Sequence, residues 1–237
     1  MDQLLGILLN VFFFAAIAGM FVLVIRMFIS SNKEDKRIRQ GWSELGRFTA
    51  EHGWTHEQRA RGQATRYCGV GPMPGSGSGL SAWHHITGEF RDRAFASFEY
   101  RAVNASGDLG EGKKRPIIHT LLMVSVPGSG PATEILQPSK LNVLLDRRPS
   151  IRLGIPEFDE KFRVVTGDEA WVRNLLSDSV VSFLLTDPRA KRFELELRQD
   201  ELFTWYKGTL SPHALEEGLN YLCDVLDRIP TQAWTAA

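Results

Sequence analysis

From Leu4 to Ile25 the chain is an uncharged apolar run. At about 1.5 Å of rise per residue, a helix of that length reaches roughly 30 Å, the thickness of the hydrocarbon core of a bilayer. Everything after it is mixed in charge, so the chain reads as one membrane anchor carrying one soluble domain. The rival is a cleaved signal peptide, which needs a basic leading segment, a short apolar core and a small-residue cleavage site. Only Met1, Asp2 and Gln3 precede the run, and past Ala16-Ile17-Ala18 it stays apolar through Ile25. Retention as an anchor is therefore the favoured reading.

Lys and Arg are held on the cytoplasmic side of a membrane segment. Arg26, Lys33, Lys36, Arg37 and Arg39 all follow the run and none precedes it. The expected topology is a cell-membrane, single-pass protein with its N-terminus outside and its C-terminal domain cytoplasmic. The only two cysteines, Cys68 and Cys223, form no disulfide framework, although one bridge between them stays open. Asn104-Ala105-Ser106 matches a glycosylation sequon, without meaning in a cytoplasmic domain. Ala15 and Gly19, four apart, offer a close-approach face for a homodimer, though small residues are common in membrane helices.

The expected organisation is a transmembrane anchor over 1–31, a juxtamembrane helix over 32–56 and a soluble α+β domain over 57–237, with a subdivision near 150 left open. Lys plus Arg equals Asp plus Glu at 28 each, which argues against a nucleic-acid partner. The basic residues beside the run set topology and are the exception that suits anionic headgroups.

Ile38, Trp42, Leu45 and Phe48 recur at helical spacing, and Gly53 is placed to cap that helix. Val70 to Leu80 is a breaker-rich loop. Its Gly75, Gly77 and Gly79 suggest a phosphate cradle, but no Lys-Ser/Thr pair or helical pattern follows, so a flexible loop is expected. Trp83–Phe90 and Ala94–Ala102 alternate as a half-buried hairpin across Arg91-Asp92-Arg93. Asn104 to Arg115 reads as a long exposed turn and Ile117–Val126 as a third strand ended by Pro127. Thr133–Leu136 and Leu141–Leu145 are shorter strands.

Asp168 is an N-cap for a helix through Trp171, Leu175 and Leu176, and a second helix spans Asp178 to about Thr186 before Asp187-Pro188. Phe193–Leu197 and Glu201–Tyr206 pair as a hairpin across Arg198-Gln199-Asp200. Ser211 and Pro212 open an amphipathic helix whose Leu215, Leu219, Leu222, Leu226 and Ile229 share one face, as expected for packing on a sheet. The fold class is therefore α+β, with mostly antiparallel strands and packed helices behind an N-terminal transmembrane helix.

The stretch Pro156-Glu157-Phe158-Asp159-Glu160-Lys161-Phe162-Arg163-Val164-Val165-Thr166-Gly167-Asp168, with the helical Ala170–Leu176 after it, resembles a segment of membrane-anchored bacterial proteins, especially actinobacterial ones. Glu51-His52-Gly53-Trp54 and Phe95-Ala96-Ser97-Phe98-Glu99-Tyr100 look similar to the same group. The resemblance rests on aromatic and apolar positions and covers about two-thirds of the soluble part; it implies a fold and no activity.

The search for chemistry assigns no catalytic, cofactor or metal residue. Gly53-Trp54-Thr55 separates His52 from His56, and neighbouring His84 and His85 point to opposite faces of a strand. His119 reads as a hydrogen-bonded core histidine and Cys223 as a buried apolar residue, which leaves Cys68 the better candidate for a reactive thiol. Glu99, Glu194 and Glu196 fit exposed strand faces. The leading expectation is a non-enzymatic interaction or scaffold module, with the lipid bilayer and a protein as partners. Exposed loops at Gly69–Gly79 and Asn104–Arg115 would carry the contacts. The alternative is an enzyme or small-ligand receptor with a site assembled around Cys68, His84, His85 and His119.

Overall fold

The computed structural model describes residues 40–102, 117–138 and 148–234, together with Met20. Apart from Met20, the apolar run Leu4–Ile25 lies outside the described residues, as do the sequon at Asn104, the turn to Arg115 and the strand expected at Leu141–Leu145. Among the described residues no helix is long and apolar enough to cross a membrane. The chain divides into residues 1–43 and 44–237. The second unit carries the whole sheet, and its strands on either side of residue 150 pair with one another.

Helix α1, described over residues 40–51, ends just before Gly53, the residue expected to cap it. Gly53 takes a left-handed φ of 68°, and the Trp54 amide donates back to the Thr49 carbonyl at 2.9 Å, a glycine-closed helix end. The turn sends Thr55 and His56 into strand β1 (Thr55–Ala60). Strands β2 (Ala82–Phe90) and β3 (Arg93–Ala102) form the expected hairpin, with Phe90 opposite Arg93 and positive φ at both Arg91 and Asp92. Two left-handed central residues make a tight turn that matches the twist of the strands.

Strand β4 (Ile117–Leu136), β5 (Ser150–Ile151), β6 (Arg163–Thr166) and β7 (Glu194–Lys207) complete the sheet. Its order is β1-β2-β3-β4-β6-β5, every pair antiparallel, with β7 also paired to β4. Within β7 the Thr204 hydroxyl donates to the Glu194 carbonyl at 2.7 Å and the Trp205 indole to the Glu194 carboxylate at 3.0 Å. Ten extended residues span about 33 Å, so β7 doubles back, at Gln199 with its φ of 57°. The hairpin expected across Arg198-Gln199-Asp200 is thus present inside one continuous strand. β4 follows it: residues 119–125 pair with 201–207 and residues 130–135 with 195–199, so β4 wraps the tip of β7. Its two arms are the strands expected at Ile117–Val126 and Thr133–Leu136.

One face of the sheet is covered by α1, α2 (Pro156–Lys161), α3 (Glu169–Leu175), α4 (Asp178–Thr186) and α5 (Pro212–Leu226). The Asp168 carboxylate accepts from the Trp171 amide at 2.9 Å and the Ser211 hydroxyl from Ala214 at 3.3 Å, so both expected caps hold. Leu215, Leu219 and Leu222 are fully buried, each contributing about 2 kcal/mol through burial. The opposite face is covered by the segment from Ala60 to Leu80, whose Tyr67, Val70 and Met73 pack on Phe98, Leu121 and Phe203. The glycine loop is therefore a lid over the sheet and not the free loop expected; only residues 75–79 of it stay fully exposed as a run. Gly71 carries this arrangement: a Cβ there would sit 2.5 Å from the Trp205 ring.

Candidate functional site

Three polar clusters stand out from the apolar layers. The first lies on the helix face. An irregularity in β2 between Trp83 and Ile86, with His84 at a φ of 49°, turns the His84 ring toward His56, where the two share a 3.3 Å hydrogen bond. Beyond them Glu99 is fully buried, accepting from the Leu210 amide at 2.9 Å and pairing with Arg101 at 3.3 Å. Burial, then the neighbouring His56 and Arg101, push the His84 pKa down to about 4, and burial lowers His56. Both rings are neutral near pH 7, and a base that weak is a poor proton acceptor there. The cluster orders the sheet and helices and presents no activated nucleophile.

The second lies under the glycine lid. Register places Glu134 beside Glu196, and β7 brings Glu194 onto the same face. Glu196, 4% exposed, accepts from the Gly71 amide at 3.1 Å, while Arg198 donates to the Cys68 carbonyl at 3.0 Å and pins the lid a second time. Burial raises the Glu196 pKa to about 7, against the favourable Gly71 bond, with Glu134 adding to the rise. Burial also raises Glu194, which Gln137 and Trp205 partly offset. The exposed strand faces expected for Glu99 and Glu196 are thus corrected: both sheet faces are covered, so alternation here separates two buried layers.

The third joins the β2–β3 turn to the end of α5. Arg91 pairs with Asp224 and Asp227, Arg93 with Asp227, and Arg189 with both Asp187 and Asp224. An open cleft of about 540 Å³ beside it is lined by Arg91, Arg93, Ser125, Pro127 and Asp227. On the helix face an apolar void of about 10 Å³, between Ile135, Leu175, Leu197 and Val225, has room for about one water and for no organic ligand.

Of the residues singled out from sequence, His84 meets His56, a partner not foreseen. His85 lies against Phe98 on the lid face, with ring centroids 6.5 Å apart, so the adjacent histidines do face opposite ways. His119 is half-buried at a strand end opposite Lys207 and is not a core histidine. Cys68 approaches the Gly77 carbonyl at 4.0 Å, and no hydrogen bond or ring contact among the described residues joins it to a histidine. Cys68 and Cys223 are free thiols, Cys223 buried. Among the described residues no three His, Cys, Asp or Glu side chains are grouped to hold a metal ion. The Arg91–Asp224 network was missed, its only sequence signal being Asp224 and Asp227 three apart near the end of a helix, opposite no visible partner.

These elements define an α+β fold with helices on one face of an antiparallel sheet and a loop lid on the other. No family model and no curated protein matches the sequence. Among solved structures, the mycobacterial trehalose monomycolate transport factor A, TtfA, matches with a TM-score of 0.55 over 79% of this chain and 95% of that one. The two are 14% identical, so the likeness is one of fold.

Proposed function

We propose that this chain is a membrane-tethered, non-enzymatic accessory factor for the transport of an envelope lipid, acting by docking its folded unit onto a membrane protein. The observation that carries the reading is the fold likeness to a trehalose monomycolate transport factor, which takes in 95% of that protein. Two features support it. The apolar run Leu4–Ile25 suits a single-pass anchor, and the basic residues after it suit a cytoplasmic domain. Both sheet faces are filled by the chain's own helices and lid, which favours work done at the surface over work done in an internal pocket. The bilayer and a protein are the partners of this reading; homodimerisation through Ala15 and Gly19 is compatible with it.

The test is site-specific photo-crosslinking in membranes, comparing the full chain with an anchor-only chain of residues 1–43. A discrete adduct with a membrane protein of lipid transport, formed by the full chain alone, is the expected result. Identical adducts from both chains would refute docking by the folded unit.

A further inference from the structure

One end of the sheet is a basic and aromatic rim. Arg59 lies opposite Trp83 and His119 opposite Lys207, while Arg101, paired with the buried Glu99, lies next to the end of β3 between them. The Arg59 and Arg101 guanidiniums sit 4.7 and 4.0 Å from the Trp83 ring centroid. Arg59, Arg61 and Lys207 are exposed, and none is ion-paired among the described residues. The arginines at the other end, Arg91, Arg93 and Arg189, are neutralised by Asp224, Asp227 and Asp187. Helix α5 begins near the rim, where the buried Glu99 carboxylate accepts from the Leu210 amide just before it, so the exposed positive charge of the rim is that of Arg59, Arg61 and Lys207.

The chain enters the folded unit on this side. Helix α1 passes through Gly53 into β1, and a Cβ at Gly46 would lie 3.7 Å from His56 Nδ1, so α1 runs antiparallel to β1. Going back from Gly46 toward Glu44, where the unit starts, α1 therefore heads toward the Ala60 end of β1, the end that carries Arg59 and Arg61.

We propose that this rim is a docking surface for anionic lipid headgroups, holding the domain against the leaflet from which its tether emerges. The inference rests on the tether reading of the preceding subsection. Exposed cations next to a partly buried Trp match the interfacial layer of a bilayer, where Trp sits at headgroup level and Lys and Arg meet anionic lipid. The formal charge of zero over the chain gives no global attraction to polyanions, so a local surface presented by a tether suits the rim best.

Full-length protein is placed in nanodiscs of phosphatidylcholine alone, or with about a third phosphatidylglycerol, an anionic lipid of the required class. Amide hydrogen exchange is read at residues 57–62, 82–85 and 205–208. The expected result is slower exchange there in anionic discs only, no change at 88–94, and loss of the difference in R59E/R61E, each lost cation weakening attachment about fivefold. Equal exchange at the rim in both discs overturns the docking surface while leaving the tether intact. A chain that enters neither disc refutes the tether and this inference with it.

Discussion

The lid over the sheet is tied to a buried carboxylate that resists ionisation, and Glu196→Gln isolates its cost. Glu196 titrates at about 7 in the folded protein against 4.5 unperturbed, chiefly because it is buried. The folded state therefore binds the proton more tightly than the unfolded chain. Stability is fully present below about 4.5, falls as pH rises to about 7, and is level above that. At about 1.36 kcal/mol per pH unit, the ionised group costs at most about 3 kcal/mol near pH 8. The neighbouring charges are Glu134, which opposes ionisation, and Arg198 and Arg148, which favour it. A Gln carbonyl at this position keeps the bond from the Gly71 amide, and its NH2 can donate to the neighbouring Glu134 carboxylate. Urea unfolding of full-length protein should show E196Q equal to wild type at pH 4.5 and about 1–3 kcal/mol more stable at pH 8. Equal stabilities at pH 8 with parallel pH profiles would refute the reasoning.

His84→Asn should act with the opposite sign. His84 titrates at about 4 instead of 6.5, so wild-type stability falls as pH drops from 6.5 toward 4; removing the ring should flatten that acid limb, by up to about 3 kcal/mol, in the same unfolding assay. Asn is chosen because it tolerates the left-handed φ of His84. Gly130→Ala puts a Cβ 2.2 Å from the Trp171 ring and should destabilise by about 1–3 kcal/mol, read as a lower melting temperature; an unchanged one would contradict the packing described. C-terminal reporter fusions that work only inside or only outside the cell should give a cytoplasmic signal, and an external signal would reverse the topology drawn from Arg26, Lys33, Lys36, Arg37 and Arg39.

Elements with a local signature were legible in the sequence. The Asp168 and Ser211 caps, the stop at Asp187-Pro188 and the hairpins around Arg91 and Gln199 each depend on residues a few positions apart. What escaped depends on distant pairing. Ser97 and Glu99 alternate with Ala96 and Phe98 as in a half-solvated strand, and only the helices packed on their side make them fully buried. The nesting of β7 inside β4, and the bonds from Arg91 to Asp224 and from Gly71 to Glu196, join residues far apart in sequence without composition to mark them. The glycine loop misled because breakers signal a turn, whereas Tyr67, Val70 and Met73 around it supply the apolar contacts that fasten it down. The candidate site was the least legible part: of Cys68, His84, His85 and His119, only His84 enters a side-chain cluster with another histidine.

The central claim is that the protein serves lipid transport from the membrane, and the direct measurement is export itself. Newly made envelope glycolipid is pulse-labelled in the native host, with and without depletion of this protein, and the fraction leaving the inner membrane is followed. The account predicts that this fraction falls while synthesis continues, and that the full chain restores it whereas the anchor alone does not. Unchanged export after complete depletion would contradict it.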